Sequence, residues 1–420
     1  MAKRTPVFYG WYLVGLTVVT MMLVYGIRNS FSVLLNPILT EFGWFRGSTA
    51  LMLSLNILVY GFTAPVAGIL VDRWKPRKVA IIGIGVLAAA TAGCSLATEL
   101  WHFYLLFGVL VPIGSAFCGL PILNPALMNW FGRGRGLAIG LGQIGGGLSF
   151  AYGMVVEVVI SGFGWRGAYI FMAGMLLVLL LPLYYFIFHY RPGDKGMLSY
   201  RAGETPPAVL PPGADRGVSD WTLRGALRTR SLWLLVLSQM LYWGIGNYLV
   251  LAHQIKFAVD VGYSGVLAAS VFAMFGIVSI GGQICAFISD RIGREWTITL
   301  ACILAAGGMV ALISVRDNSN IWLFYVYAVS SGIGTGLFSP TIFVGTADIF
   351  YGKNIGAISA VILTGSGVGG AIGPWLGGYI YDVTGSYHSA FIVSLVAYVL
   401  AGSIFWMAAP RHAARIRARS

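Results

Sequence analysis

Charge is what this sequence has least of. Only 10% of its 420 residues are Asp, Glu, Lys or Arg, and only 14 are acidic, whereas a soluble domain carries about 25% charged residues. So few charges cannot cover a water-facing surface, which excludes a soluble enzyme, a disordered chain and a nucleic-acid-binding module. Cysteine is scarce too. Cys94, Cys118, Cys285 and Cys302 share no metal-ligand spacing and each falls inside an apolar run, so they read as small packing residues. No nucleophile-base constellation, metal-ligand cluster or phosphate-binding glycine loop stands out, and a GxxxxGK[ST] run is missing altogether. Neither an enzyme nor an ATP-driven pump is expected, and no cofactor or metal.

What fills the chain instead is apolar: 58% of residues, with a mean hydropathy of +0.81. A spanning helix needs about 20 such residues. The runs are continuous rather than alternating, so they predict helices and not barrel strands. Spans are expected near 10–35, 47–71, 79–98, 102–128, 137–161, 167–189, 231–254, 265–288, 296–315, 321–348, 355–380 and 387–408, twelve in all. The N-terminal MAKRTPVFYGW leads into a run too long for a signal-peptide core and has no clear small-residue cleavage site. The first helix is therefore expected to stay on the chain.

The formal charge of +13 acquires a meaning from where the cations fall. With the N-terminus cytoplasmic, 22 of the 27 basic residues lie in cytoplasmic segments, leaving Arg28, Arg46, Arg166, Lys256 and Arg316 within the membrane or outside. Such asymmetry places both termini inside. The basic excess is then topology and attraction to the inner leaflet, and no nucleic-acid partner is expected.

The stretch 191–230 contains GETPPAVLPPGADRG, rich in Pro and Gly and unable to bury apolar area. It divides the chain into a six-helix half over 1–190, a cytoplasmic linker over 191–230 and a second six-helix half over 231–420. At the end of the linker, Ser219 or Asp220 is placed to cap a short amphipathic helix with Trp221, Leu223 and Leu227 on one side and Arg224, Arg228 and Arg230 on the other. The halves echo one another. GILVDRWKPRK (68–78) and AFISDRIGREW (286–296) set Asp72 and Asp290 218 residues apart; GLAIGLGQIGGG (136–147) and GAISAVILTGSG (356–367) set Gly136 and Gly356, and Gly145 and Gly365, 220 apart. Two motifs at nearly one offset indicate duplication, and membrane proteins built from paired repeats hold substrate at the repeat interface and rock about it.

The loop GxxxDRxxxRK after the second span, its partial copy after the eighth, the twelve spans and the long central linker resemble the major facilitator superfamily. Within it, YGWYLVG (9–15), NWFGRGRGLAIG (129–140) and GWRGAY (164–169) resemble the branch of monocarboxylate porters and oxalate:formate antiporters, of bacterial type. The resemblance covers essentially the whole chain, with Lys75 standing where the loop usually has Gly and Ala286 where the second copy expects Gly. It implies an all-α membrane protein of the major facilitator fold in the cell (plasma or inner) membrane. It also implies gating pairs, Asp72 with Arg73 and Arg77, and Asp290 with Arg291 and Arg294, that clasp neighbouring helix ends in one state and release in the other. Solvated anchoring charges would look the same in sequence.

Ionisable residues at membrane depth are costly and so mark function. Arg28 lies 17 residues beyond Trp11, roughly 25 Å along the first helix at ~1.5 Å per residue. Glu157 is 20 residues beyond Leu137, at similar depth from the external face, while His253, Lys256 and Asp260 mark the external end of the seventh span. Arg28 has three uses open to it: gripping a substrate carboxylate, pairing with Glu157, or snorkelling to the interface. Glu157 or His253 would carry a proton, the alternative for His253 being an interfacial residue bonded to water. Tyr25, Asn29, Tyr242, Asn247, Gln283, Tyr327, Ser330 and Phe338 are mid-span polar or aromatic groups on helices that line the cavity in this fold. As a set they describe a small mixed pocket for a compact organic acid.

Animal members of the branch place a lysine in the first helix and an aspartate-arginine pair in the eighth. Here Asn29 stands beside Arg28, and SIGGQICAFIS (279–289) carries no charge. The basic residues that oxalate antiporters use in the eighth and eleventh helices are absent too, so one carboxylate suits this chain better than two. The expected function is a monomeric secondary carrier that takes a lactate- or pyruvate-like anion with a proton, by alternating access. A facilitator or exporter of another small organic compound, and a membrane sensor that binds without transporting, are the alternatives.

Overall fold

The computed structural model describes residues 8–131, 135–198, 221–350 and 355–408. Among them, eleven helices are long and apolar enough to cross a membrane: α1 Gly10–Phe42, α2 Arg46–Gly68, α3 Pro76–Cys94, α4 Leu100–Trp130, α5 Ala138–Phe186, α6 Arg230–Asp260, α7 Gly265–Cys285, α8 Arg294–Ile313, α9 Trp322–Ile349, α10 Ile358–Thr384 and α11 His388–Ala408. The two spans expected over 137–161 and 167–189 are merged in α5, which runs for 49 residues. Inside it Gly164 has φ 70° and ψ 173°, a conformation open to glycine and strained for a residue with a Cβ. The chain turns there, leaving on either side a stretch as long as one crossing.

α1 is longer than expected and is made of two helices, Gly10–Asn29 and Phe31–Phe42, meeting at Ser30. In α4, α5 and α6 the backbone widens to π-helical turns over Tyr104–Leu110, Leu176–Leu180 and Met240–Asn247, a local irregularity that hydrophobic periodicity does not reveal. The linker helix is shorter than expected, Leu223–Leu227, and its cap is Thr222, whose hydroxyl accepts from the Gly225 N–H. Trp221 and Ala226 are buried while Leu227 is exposed, so the apolar side is narrower than the sequence pattern suggested. Ser219 and Asp220 lie outside the described residues. Elsewhere Phe62, Phe163 and Val178 are largely exposed. Acyl chains, not water, are the solvent such a surface fits.

Contacts group the chain into two compact units. One comprises Met1–Ser30 and Val59–Pro211, the other Phe31–Leu58 and Pro212–Ser420. The second unit thus includes the end of α1 and the beginning of α2. In the first unit α1 lies along α5: a Cβ on Gly145 would meet the Val18 carbonyl oxygen at 2.2 Å, and one on Gly26 would meet the Tyr152 ring at 2.4 Å. In the second, a Cβ on Gly365 would meet the Val236 carbonyl oxygen at 2.3 Å. Val18 and Val236 are 218 residues apart, so the glycine echo of the two halves is repeated as geometry. Gly365, Gly369 and Gly373 all seat α10 against α6, and Gly142 and Gly145 seat α5 against α1. These glycine faces make close helix packings inside each unit.

Candidate functional site

Arg28 ends the first part of α1, one turn after Tyr25 and on the same face. It is 8% exposed. Its guanidinium carbon lies 4.8 Å from the Tyr25 ring centroid and 4.8 Å from that of Tyr60 on α2. The two centroids are 6.5 Å apart with ring planes at 70°, so the rings meet the guanidinium from directions about a right angle apart. Arg28 sits in an aromatic corner. Two cation–π contacts are worth about 0.5–2 kcal/mol each, and they leave the forked N–H edge without a carboxylate: among the described residues Arg28 has no ion pair and no hydrogen bond.

The pairing of Arg28 with Glu157 is not made among the described residues. Glu157 is half-buried on α5, where its main-chain carbonyl accepts from the Ser161 hydroxyl at 3.1 Å. Asn29, beside the arginine, donates from Nδ2 to the Ser149 hydroxyl at 2.8 Å, and Ser149 in turn donates to the Gly146 carbonyl at 2.6 Å. That chain ties α1 to α5 on the turn next to Arg28.

The second unit gathers Tyr242, Asn247 and Phe338. Tyr242 and Phe338 stack at 3.7 Å with planes 5° apart. Asn247 donates to the Tyr242 carbonyl at 3.2 Å and accepts from the Thr335 hydroxyl at 3.1 Å. The π-helical turn over Met240–Asn247 brings these groups together. Tyr327 is buried and stacks on Phe275; Ser330 donates to the Leu304 carbonyl at 2.6 Å; Gln283 is half-buried on α7.

His253 is fully buried rather than interfacial. Its Nε2 is 2.8 Å from the Pro374 carbonyl oxygen and its Nδ1 3.2 Å from the Tyr387 hydroxyl. A carbonyl only accepts, so the pattern assigns the proton to Nε2 and leaves Nδ1 to accept from Tyr387. Tyr387 accepts in its turn from Arg46 Nη1 at 2.9 Å. Arg46, at the start of α2, also pairs with Asp260 and lies 3.5 Å from the Tyr381 ring centroid, while Lys256 pairs with the other oxygen of Asp260. Tyr60, Arg46, Tyr381, Asp382 and Tyr387 had drawn no attention as site residues. Arg46 alone carried a signal, being one of the five basic residues outside the expected cytoplasmic segments.

At the opposite loops, Arg77 lies 4.8 Å from the Tyr185 ring centroid. Arg294 donates from Nε to Asp348 at 3.0 Å and from Nη1 to the Ser289 hydroxyl at 2.8 Å, and Arg291 is exposed. Asp348, on α9, is a partner that the loop motif does not contain. The side chains of Asp72, Arg73 and Asp290 lie outside the described residues.

Residues 17–318 and 284–419 match the family model described as Major Facilitator Superfamily. The chain belongs to the Major Facilitator Superfamily. As a member it is a multi-pass membrane transporter and not an enzyme. It is 27% identical to Monocarboxylate transporter 11 of Homo sapiens, over 96% of this chain and 83% of that protein. To Monocarboxylate transporter 13 of Rattus norvegicus it is 28% identical, over 94% of this chain and 87% of that protein. Among solved structures, a bacterial homolog to the human lysosomal transporter Spinster, in an inward-facing and occupied conformation, superposes with a TM-score of 0.75 at 15% identity and 97% coverage of both chains. That likeness shows the fold of the superfamily transporter.

Proposed function

We propose that this superfamily member carries a small monocarboxylate of the lactate or pyruvate kind across the plasma or inner membrane, together with a proton, by alternating access. One observation supports this above the rest: the buried Arg28 guanidinium is cornered by two tyrosine rings with no carboxylate beside it among the described residues. A planar cation held in that way keeps its fork for a carboxylate brought by the substrate, and a single fork suits a single carboxylate. The rings suit a short apolar tail.

Glu157 is our candidate proton carrier. It is an acid inside a span, and its protonation removes a charge that is costly there. His253 fits the part less well, because both of its ring nitrogens already have partners. The test is uptake of labelled monocarboxylates into proteoliposomes with and without an inward proton gradient. Arg28→Gln is expected to cut uptake to below about a tenth, the loss of one charge-assisted hydrogen-bonded contact, with expression and monodispersity unchanged. Uptake at the wild-type rate would sink the assignment of Arg28. Glu157→Gln is expected to remove the acceleration by the gradient while leaving exchange of internal for external substrate.

A further inference from the structure

Arg46 makes contacts with both its main chain and its side chain. The Arg46 and Gly47 N–H groups, the first donors of α2, are both accepted by the Asp382 carboxylate, at 3.0 and 2.7 Å. The side chain pairs with Asp260 at the end of α6, donates to Tyr387 and lies on the Tyr381 ring. The backbones meet closely as well: a Cβ on Gly378 would come within 2.7 Å of the Arg46 carbonyl and of the Gly47 Cα. All these partners lie in the second half of the sequence, whereas Arg46 belongs to the first. They hold the segment Phe31–Leu58 within the second compact unit. A transporter that alternates between two states by moving its halves has to undo such a fastening in every cycle.

Breaking an ion pair that is largely out of water ordinarily leaves an uncompensated charge, which is what makes such pairs hard to open. Asp260 is an exception. Lys256, one turn earlier on α6, already holds its other oxygen, and the Lys256 and Asp260 side chains are only 13% and 24% exposed. Because Lys256 and Asp260 are four residues apart on one helix, their pair persists wherever Arg46 goes. We propose that Arg46 is the clasp that fastens Phe31–Leu58 to the second half, and that Lys256 is a positioning residue which makes the clasp reversible by keeping Asp260 neutralised after Arg46 leaves. The assignment concerns the motion and not the cargo, so it stands or falls separately from the role given to Arg28.

The two cations therefore act with opposite sign. Spin labels at Thr40→Cys and Asn318→Cys, both exposed positions, in a Cys285→Ser background report the separation of the two parts in lipid nanodiscs by electron–electron distance measurement. Arg46→Gln is expected to raise the ratio of separated to fastened populations about tenfold, the scale of one charge-assisted hydrogen bond. Tyr387→Phe, which keeps the ring and removes only the hydroxyl, should raise it by less. Lys256→Met should lower the ratio and slow uptake severalfold. Should Arg46→Gln not fold, Tyr387→Phe tests the clasp alone. Distance distributions unchanged by Arg46→Gln, or by Tyr387→Phe in its place, would overturn the clasp; a Lys256→Met shift towards separation, or none at all with wild-type uptake, would overturn the role of Lys256.

Discussion

At the scale of single residues, the chain treats two of its arginines in opposite ways. The Arg46 side chain meets Asp260, the Tyr387 hydroxyl and the Tyr381 ring, while among the described residues that of Arg28 meets rings alone. Arg28→Lys tests the difference between a charge and a fork: a lysine keeps the charge and loses the planar pair of donors, so KM for the transported acid should rise about tenfold with thermal stability unchanged, as read from concentration-dependent uptake. Asn247 is tied to Tyr242 and Thr335 on both sides of its amide. Asn247→Ala should therefore cost about 1 kcal/mol of stability, seen as a lower midpoint in detergent thermal unfolding. Arg28 could be picked out in the sequence as a candidate because a charge inside an apolar run is costly. Tyr60 was not, since one tyrosine among 21 gives no sign of which cation it faces.

At the scale of elements, glycine position decides how closely helices approach. Gly145 and Gly365 each abut a valine carbonyl, whereas Gly140 and Gly367, on the same two helices, have nothing within 4 Å of a Cβ. Gly145→Ala and Gly365→Ala are each expected to cost about 1–3 kcal/mol by overpacking, and Gly140→Ala and Gly367→Ala almost nothing. Thermal unfolding of the four purified variants separates the pairs, and equal midpoints would refute the packing assignment. The glycine-rich runs and their offset were visible in the sequence. Which glycine of each run touches a neighbour was not, because that depends on helix rotation and on the partner's register. The π-helical turn at Met240–Asn247 and the meeting of helices at Ser30 were hidden for a related reason: both are set by packing against other helices and leave continuous hydrophobicity undisturbed.

At the scale of the whole molecule, the scarcity of charge leaves almost no hydrophilic surface with which copies could be kept soluble outside lipid. The sequence by itself determined the solvent, the helical class and the superfamily, because each rests on properties summed along the chain: hydropathy over a bilayer's thickness, the places where cations fall, and loop motifs repeated at one offset. It also singled out Arg28 as a candidate, since an ionisable residue inside an apolar run is visible without knowing its neighbours. Only the tertiary structure decided what that charge faces, that His253 is enclosed between Pro374 and Tyr387, and that Arg46 is joined to Asp260, Tyr387 and Asp382 from 214 to 341 residues away. Hydrogen bonds and ion pairs act over a few ångströms, and which groups come within that range is settled by how the helices pack.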